Sequence, residues 1–240
     1  LVGLADIDRK AATIVARKVS TQAFFDYRNL IDQVDAVSIV VPTSEHYRVA
    51  RDFLEAGVHV LVEKPITSTV EEARRLIKLA RNKERILQVG HIERFNTAVI
   101  KLREILTKPG FIECHRLGPY DPRVRDVGVV LDLMIHDIDI ILQIVRSPIV
   151  SIDAVGVPIL SEREDIANAR IKFQDGCTAN LTVSRVTPTR MRKIRIFQPN
   201  TYVSINYQKQ SMEVYSREDI KDAREGEPRA QIVRRRLRLK

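Results

Sequence analysis

Along the first ninety residues, short apolar runs alternate with stretches in which apolar positions recur every three or four residues. Leu1-Val2-Gly3-Leu4-Ala5 reads as a short strand ending at Asp6, and residues 9–19 as a helix. Ala36-Val37-Ser38-Ile39-Val40-Val41 is a buried strand stopped by Pro42. Val49, Ala50, Phe53 and Leu54 follow at helical spacing, and Gly57 is placed to terminate that helix. Val58 to Val62 is the next strand, closed by Glu63-Lys64-Pro65. Ser68-x-x-Glu71 has the form of a capping box, ahead of a stripe of Val70, Ala73, Leu76, Ile77 and Ala80. Ile86-Leu87-Gln88-Val89 adds one more strand. Near-continuous apolar strands alternating with helices predict an α/β fold, a doubly wound parallel sheet covered by helices on both faces.

The second half changes period. Val130, Leu133, Met134, Ile138, Ile141, Leu142 and Val145 form a helical stripe. Leu131, Ile135, Ile140 and Ile144 make that helix apolar nearly all round, hence mostly buried. Beyond it, Ala169, Ile171 and Phe173 alternate with polar residues up to Asp175-Gly176. Cys177, Ala179, Leu181 and Val183 then alternate in turn, predicting a β-hairpin with one buried face. Similar alternation recurs around Ile194-Ile196, Val203-Ile205-Tyr207 and Met212-Val214. Two domains follow: residues 1–89, the parallel α/β unit, and residues 90–240, an α+β unit with a mostly antiparallel open sheet.

Composition narrows the classes. With 44% hydrophobic residues in 240, the chain can build a core, which excludes disordered and low-complexity proteins. No apolar run approaches the roughly 20 residues that span a bilayer, so a membrane partner is not expected. Cys114 and Cys177 make neither a disulfide framework nor a zinc site, which points to a reducing, cytoplasmic home. The net charge of +9 is concentrated: Arg229, Arg234, Arg235, Arg236, Arg238 and Lys240 supply six of the nine. That run reads either as a solvated edge strand or as a non-specific phosphate binder. The body has no aromatic-plus-basic platform, so no specific nucleic-acid partner is expected.

Three places carry candidate chemistry. Asp6 stands at a strand's carboxyl end, where an acid either accepts bonds from an adenosine ribose or caps the next helix. In Glu63-Lys64-Pro65, proline restricts Lys64 to extended geometry. Its ammonium either projects into the crevice at the strand end, poised to stabilise a forming alkoxide, or is solvated beside Glu63. Asp132 and His136 lie four apart on the apolar helix. An aspartate there can orient the imidazole for proton transfer, or the two can be a structural pair. His136-Asp137 also echoes metal-dependent phosphohydrolases, but His46, His59, His91 and His115 offer no further ligands at helical spacing, so no metal is expected.

A strand ending in Glu-Lys-Pro followed by an Asp-x-x-x-His helix resembles the Gfo/Idh/MocA family of nicotinamide-dependent sugar oxidoreductases. The likeness extends to Ala5-Asp6-Ile7-Asp8 and to Val41-Pro42-Thr43-x-x-His46. The stretches 88–96, 115–119 and 126–137 look like the branch that oxidises the 3-hydroxyl of UDP-N-acetylglucosamine. The resemblance implies a Rossmann-like first domain binding NAD, with NADP disfavoured by the acid at Asp6 although Arg9 stands nearby. It implies that Asp6, Pro42, Thr43, His46, Glu63 and Lys64 face the cofactor. Lys64, His136 and Asp132 would take part in removing the hydroxyl proton, and the Lys64-Pro65 bond would be cis. Arg94, Asn96, Arg116, Arg123 and Arg125 are candidates for the nucleotide diphosphate, since arginine forks match phosphate geometry. The family's first strand with its Gly-rich turn and its helical C-terminal segment are expected to be missing from this chain, which would weaken cofactor binding. The polar face of the open sheet predicts a homodimer or homotetramer, as family members use it. An inositol or free-sugar dehydrogenase and a non-catalytic binding protein on the same fold remain the alternatives.

Overall fold

The chain divides between His91 and Ile92 into two units, Leu1–His91 and Ile92–Lys240. The computed structural model describes residues 1–120, 127–220 and 229–238.

In the first unit, β1 (Gly3–Ala5) runs parallel to β2 (Gln22–Phe24), with α1 (Arg9–Lys18) between them in sequence. A 3₁₀ segment, Tyr27–Gln33, leads to β3 (Ala36–Ile39). Then come α2 (Thr43–Glu55), β4 (His59–Val62), α3 (Val70–Asn82) and β5 (Leu87–Val89). β3, β4 and β5 form a parallel sheet in that order, as βαβ crossovers require. Ile39, Val60 and Val62 pack with Phe53 and Leu54 of α2 and Leu76 of α3 in one core. Burial of this sheet is one-sided, because the in-register residues Ser38, Leu61 and Gln88 on the other face are exposed. Gly57 takes φ +82° after the last turn of α2, a conformation that costs glycine little.

Two local expectations shift. The strand before Pro42 ends at Ile39, and Val40 and Val41 are exposed. The capping box lies one residue later than Ser68–Glu71. The Glu72 N–H donates to Thr69 Oγ1 and the Thr69 N–H to Glu72 Oε2, each at 3.2 Å. In the helix that follows, Leu76 and Ala80 are buried, whereas Val70 and Ile77 face solvent.

The second unit opens with a 3₁₀ turn, Ile92–Phe95, and α4 (Thr97–Ile105). β6 (Phe111–Leu117) follows, then a π-helical turn, Val130–Met134, that runs straight into α5 (Ile135–Ile144). The remaining strands are β7 (Ile149–Val157), β8 (Ile166–Phe173), β9 (Thr178–Ser184) and β10 (Met191–Gln198). They end with β11 (Thr201–Asn206), β12 (Ser211–Ile220) and β13 (Arg229–Arg238). The sheet order is β13-β12-β11-β10-β6-β9-β8-β7, antiparallel throughout except for the parallel pair β6 and β9. Ile112, Leu181, Ile194, Ile196 and Ile205 on the inner face pack against Leu102, Met134, Ile140 and Ile141 of the helices.

The predicted hairpin is β8–β9, with Gly176 at φ +90° in its turn. On the outer face, Phe111, Phe197, Tyr202 and Tyr215 lie side by side across four strands, with centroid spacings of 5.7, 4.8 and 5.2 Å. The basic run forms the edge strand β13. Its Arg234 and Arg235 pair with Glu213 at 2.5 Å and Glu218 at 3.0 Å. The outer helix faces are less buried than their composition suggests, since Leu131 and Leu142 are exposed.

Candidate active site

In the first unit the candidate residues stand at the carboxyl ends of β1, β3 and β4. Asp6 directly follows β1 and is exposed. It does not cap α1. Asp8 does, accepting from the N–H groups of Lys10 and Ala11 at 2.9 and 3.0 Å. Asp6 Oδ1 instead accepts from the Asp8 N–H at 2.8 Å, which fixes its carboxyl at the strand end. Arg9 lies with its guanidinium 4.7 Å from the centre of the Phe25 ring.

After β3, Pro42 is exposed at the N-cap of α2 and Thr43 is its first residue. The expectation that His46 lines a cofactor cleft does not hold. Its side chain is buried, with Nδ1 2.8 Å from the Pro65 carbonyl oxygen and Nε2 2.9 Å from that of Val41. Each ring nitrogen faces a carbonyl oxygen, so the nitrogen that carries the proton donates, and the ring bridges the loops after β3 and β4.

After β4, the Lys64-Pro65 peptide is cis. Glu63 and Lys64 are half-buried, and the Lys64 N–H donates to Glu63 Oε2 at 3.2 Å. The Glu63 carboxyl packs on Gly90 at the end of β5, where a Cβ would fall 2.9 Å from it. The lack of a side chain at Gly90 leaves room for that carboxyl. An exposed carboxylate after β1 and a half-buried lysine after β4 suit a dinucleotide, which offers ribose hydroxyls and a nicotinamide ring. Asp6 and Lys64 would be the residues to hold it.

In the second unit, Asp132 lies within the π turn and His136 on the first turn of α5. Both are half-buried. The Asp132 and His136 positions thus fall on either side of the junction between the π turn and α5. Such turns are frequent at functional sites.

The two other acids of this helix take the arginines assigned to a diphosphate. Asp137 accepts from Arg116 Nε and Nη2 at 3.1 and 2.9 Å, with both side chains buried. Glu93 adds an ion pair to Arg116 at 3.4 Å, and the guanidinium lies over Tyr207. Burial alone would lower the pKa of Arg116, but the field of Asp137 and its hydrogen bonds raise it. Arg116 is therefore a structural cation, not an open phosphate fork. Arg94 gives its fork to Asp139, at 2.8 Å through Nε and 2.5 Å through Nη2. Its side chain stays 46% exposed, so it keeps a solvent-facing edge. Asn96 caps α4, its Oδ1 accepting from the Ala98 N–H at 3.0 Å. Arg123 and Arg125 lie outside the described residues. The signal missed in the sequence was the pair Asp137 and Asp139, two acids on an apolar helix that need buried or half-buried cations.

Among the described residues, no group of three or more His, Cys, Asp and Glu side chains is gathered as a metal site. No helix among them is long and apolar enough to cross a membrane.

Comparison with known proteins covers both units. Residues 110–213 match the Gfo/Idh/MocA C-terminal domain. UDP-N-acetylglucosamine 3-dehydrogenase from Acidithiobacillus ferrooxidans is 39% identical over 218 residues, covering 90% of this chain and 70% of the relative. A solved structure of that enzyme superposes with a TM-score of 0.86, covering 96% of this chain and 74% of the other. The scyllo-inositol 2-dehydrogenase (NAD(+)) of Bacillus subtilis is 29% identical over 206 residues, 78% of this chain and 60% of that protein. The WlbA dehydrogenase of Bordetella pertussis, solved with NADH and UDP-GlcNAcA, shares the fold at 19% identity and a TM-score of 0.78, over 86% of this chain and 66% of that one. Residues 1–91 match the NAD-binding Rossmann fold of the same oxidoreductase family, and the chain belongs to the Gfo/Idh/MocA oxidoreductases.

Proposed function

We propose that the protein is an NAD-dependent dehydrogenase that oxidises a sugar-nucleotide hydroxyl, the 3-hydroxyl of UDP-N-acetylglucosamine. The observation that carries this reading is the 39% identity to a UDP-N-acetylglucosamine 3-dehydrogenase over 90% of the chain, spanning both units.

Oxidising a secondary alcohol to a ketone removes a hydride from carbon and a proton from oxygen. NAD, when bound, supplies the hydride acceptor. Asp6 accepts hydrogen bonds from the ribose hydroxyls, and its charge disfavours the 2′-phosphate of NADP. Lys64 donates a hydrogen bond to the reacting oxygen as it takes on negative character, and the His136 imidazole accepts the proton. Asp132 steadies the charged imidazole. Arg94, with its exposed edge, and Arg123 and Arg125 remain assigned to the diphosphate, whereas Arg116 and Asn96 are withdrawn from that role. The reading includes a cytoplasmic enzyme that assembles as a homodimer or homotetramer, which light scattering checks.

The test is NAD reduction by UDP-N-acetylglucosamine with wild-type protein, Lys64→Met and His136→Ala. Loss of a positioned proton-transfer group lowers kcat by about 10²–10⁴-fold. Two groups acting on one proton give a double variant little worse than either single. Wild-type turnover retained in Lys64→Met ends the mechanism. Turnover of free inositol in preference to the UDP-sugar moves the substrate toward the inositol dehydrogenases. A protein whose melting temperature NAD does not raise is not a dehydrogenase of this kind.

A further inference from the structure

The helix that carries Asp132 and His136 begins against the loop that precedes β8, and that loop accepts two of its N–H groups. The first four N–H groups of a helix have no partner within it. Here Glu164, just before β8, takes two donors of that region. Its backbone carbonyl accepts from the Val129 N–H at 3.0 Å, and its Oε1 from the Val130 N–H at 3.2 Å. A carboxylate there also opposes the positive end of the helix dipole.

The approach is close. A Cβ on Gly128 would overlap the Glu164 carboxyl, so the end of that side chain would have to shift away from the helix start. One residue earlier, Arg185 Nη1 donates to the Val127 carbonyl at 3.0 Å.

The backbone at Glu164 is held, because its neighbour is anchored. Asp165 is fully buried and accepts from the N–H groups of Ile159, Leu160 and Ser161 at 2.7, 2.5 and 2.9 Å. Its other oxygen accepts from Arg185 Nε at 2.7 Å and from the Ser161 hydroxyl at 2.9 Å. Arg185 Nη2 reaches Ser161 Oγ at 2.8 Å. Residues 127–130, 159–165 and Arg185 thus form one cross-linked body. The π turn with Asp132 follows directly, tied back by the Asp132 N–H donating to the Gly128 carbonyl at 3.0 Å.

We propose that Glu164 is a positioning residue, which through Gly128 and the Asp165–Arg185 pair sets the axial and rotational placement of Asp132 and His136. It acts through the helix start. This rests on the proton-transfer role assigned above to His136.

The test compares Glu164→Ala, Glu164→Gln and Gly128→Ala in the full chain. Two readouts are taken: kcat and KM for NAD in the UDP-N-acetylglucosamine reaction, and the ring resonances of His136, assigned by its loss in His136→Ala. Misplacing a catalytic group by an ångström costs on the order of a hundredfold. Glu164→Ala and Gly128→Ala should therefore lower kcat by about ten- to a hundredfold, leave KM for NAD within about twofold, and shift the His136 resonances. Glu164→Gln keeps an acceptor for Val130 and should restore both readouts. Wild-type kcat and resonances in folded Glu164→Ala overturn the proposal. So does equal loss in Glu164→Gln, or a loss expressed only in melting temperature. If the wild-type protein does not turn over the UDP-sugar, the functional reading fails, while the resonances still decide whether Glu164 positions His136.

Discussion

Arg116 and Asp137 face each other fork to carboxylate inside the second unit, at 3.1 Å through Nε and 2.9 Å through Nη2. The pair joins β6 to α5, and Tyr207 lies against the guanidinium. Removing either partner strands a charge away from water. Arg116→Ala is expected to destabilise the protein by about 3–5 kcal/mol, as is Asp137→Ala. Replacing both with leucine should cost less than either single change, because only Glu93, less buried and still bonded to Asn96, loses a charged partner. Denaturant titration of the three variants checks this. If Arg116→Ala instead raised KM for the UDP-sugar without loss of stability, the arginine would be a substrate ligand after all.

Asp165 makes the stability of the protein acid-sensitive. Burial pushes its pKa up, but the N–H groups of Ile159, Leu160 and Ser161 and the Arg185 guanidinium outweigh burial and hold it well below the usual carboxylate range. A carboxyl with a lowered folded pKa contributes stability that is fully present above its unfolded value of about 3.9. That contribution drains away as pH falls from there toward the folded value. Thermal unfolding followed from pH 7 to pH 2 should show melting temperature falling below about pH 4. Asp165→Asn should be less stable at pH 7 and lose less on acidification. Parallel profiles for the two proteins would remove Asp165 from this role.

Asp6 decides between the two nicotinamide cofactors. Hydrogen bonds to a charged group are worth about 1.5–3 kcal/mol, so Asp6→Ser should lower kcat/KM for NAD by roughly ten- to a hundredfold. It should raise kcat/KM for NADP, since the repulsion of the 2′-phosphate is gone. Steady-state kinetics with both cofactors tests this. Unchanged preference would mean that the ribose is held elsewhere.

Much of the fold is legible in the sequence where one physical rule acts alone. The Asp175-Gly176 turn between two alternating runs gives β8 and β9 directly, and Gly57 marks the end of α2. β6 escapes because Arg116 occupies an inward position between Cys114 and Gly118, so its apolar alternation breaks where a buried ion pair substitutes for it. β7 escapes because it is an edge strand exposed along its whole length, and neither face leaves a pattern. The π turn is invisible because Val130, Leu131, Leu133 and Met134 flank Asp132 with apolar side chains, and periodicity carries no information there.

At the site, strand-end positions predict where Asp6, Glu63 and Lys64 stand, since chain direction alone decides that. Which polar side chains are already spoken for depends on partners distant in sequence. His46 is bound to Pro65, nineteen residues on, and Arg94 to Asp139, forty-five residues on. No local spacing announces either contact.

Both sulfhydryls of the chain, Cys114 and Cys177, lie beneath the large sheet, and burial raises the pKa of each, that of Cys177 to about 11. An alkylating reagent added to the native protein therefore reports opening of the second unit while remaining blind to breathing of the first. The chain carries, without any added label, a probe that separates the stabilities of its two halves.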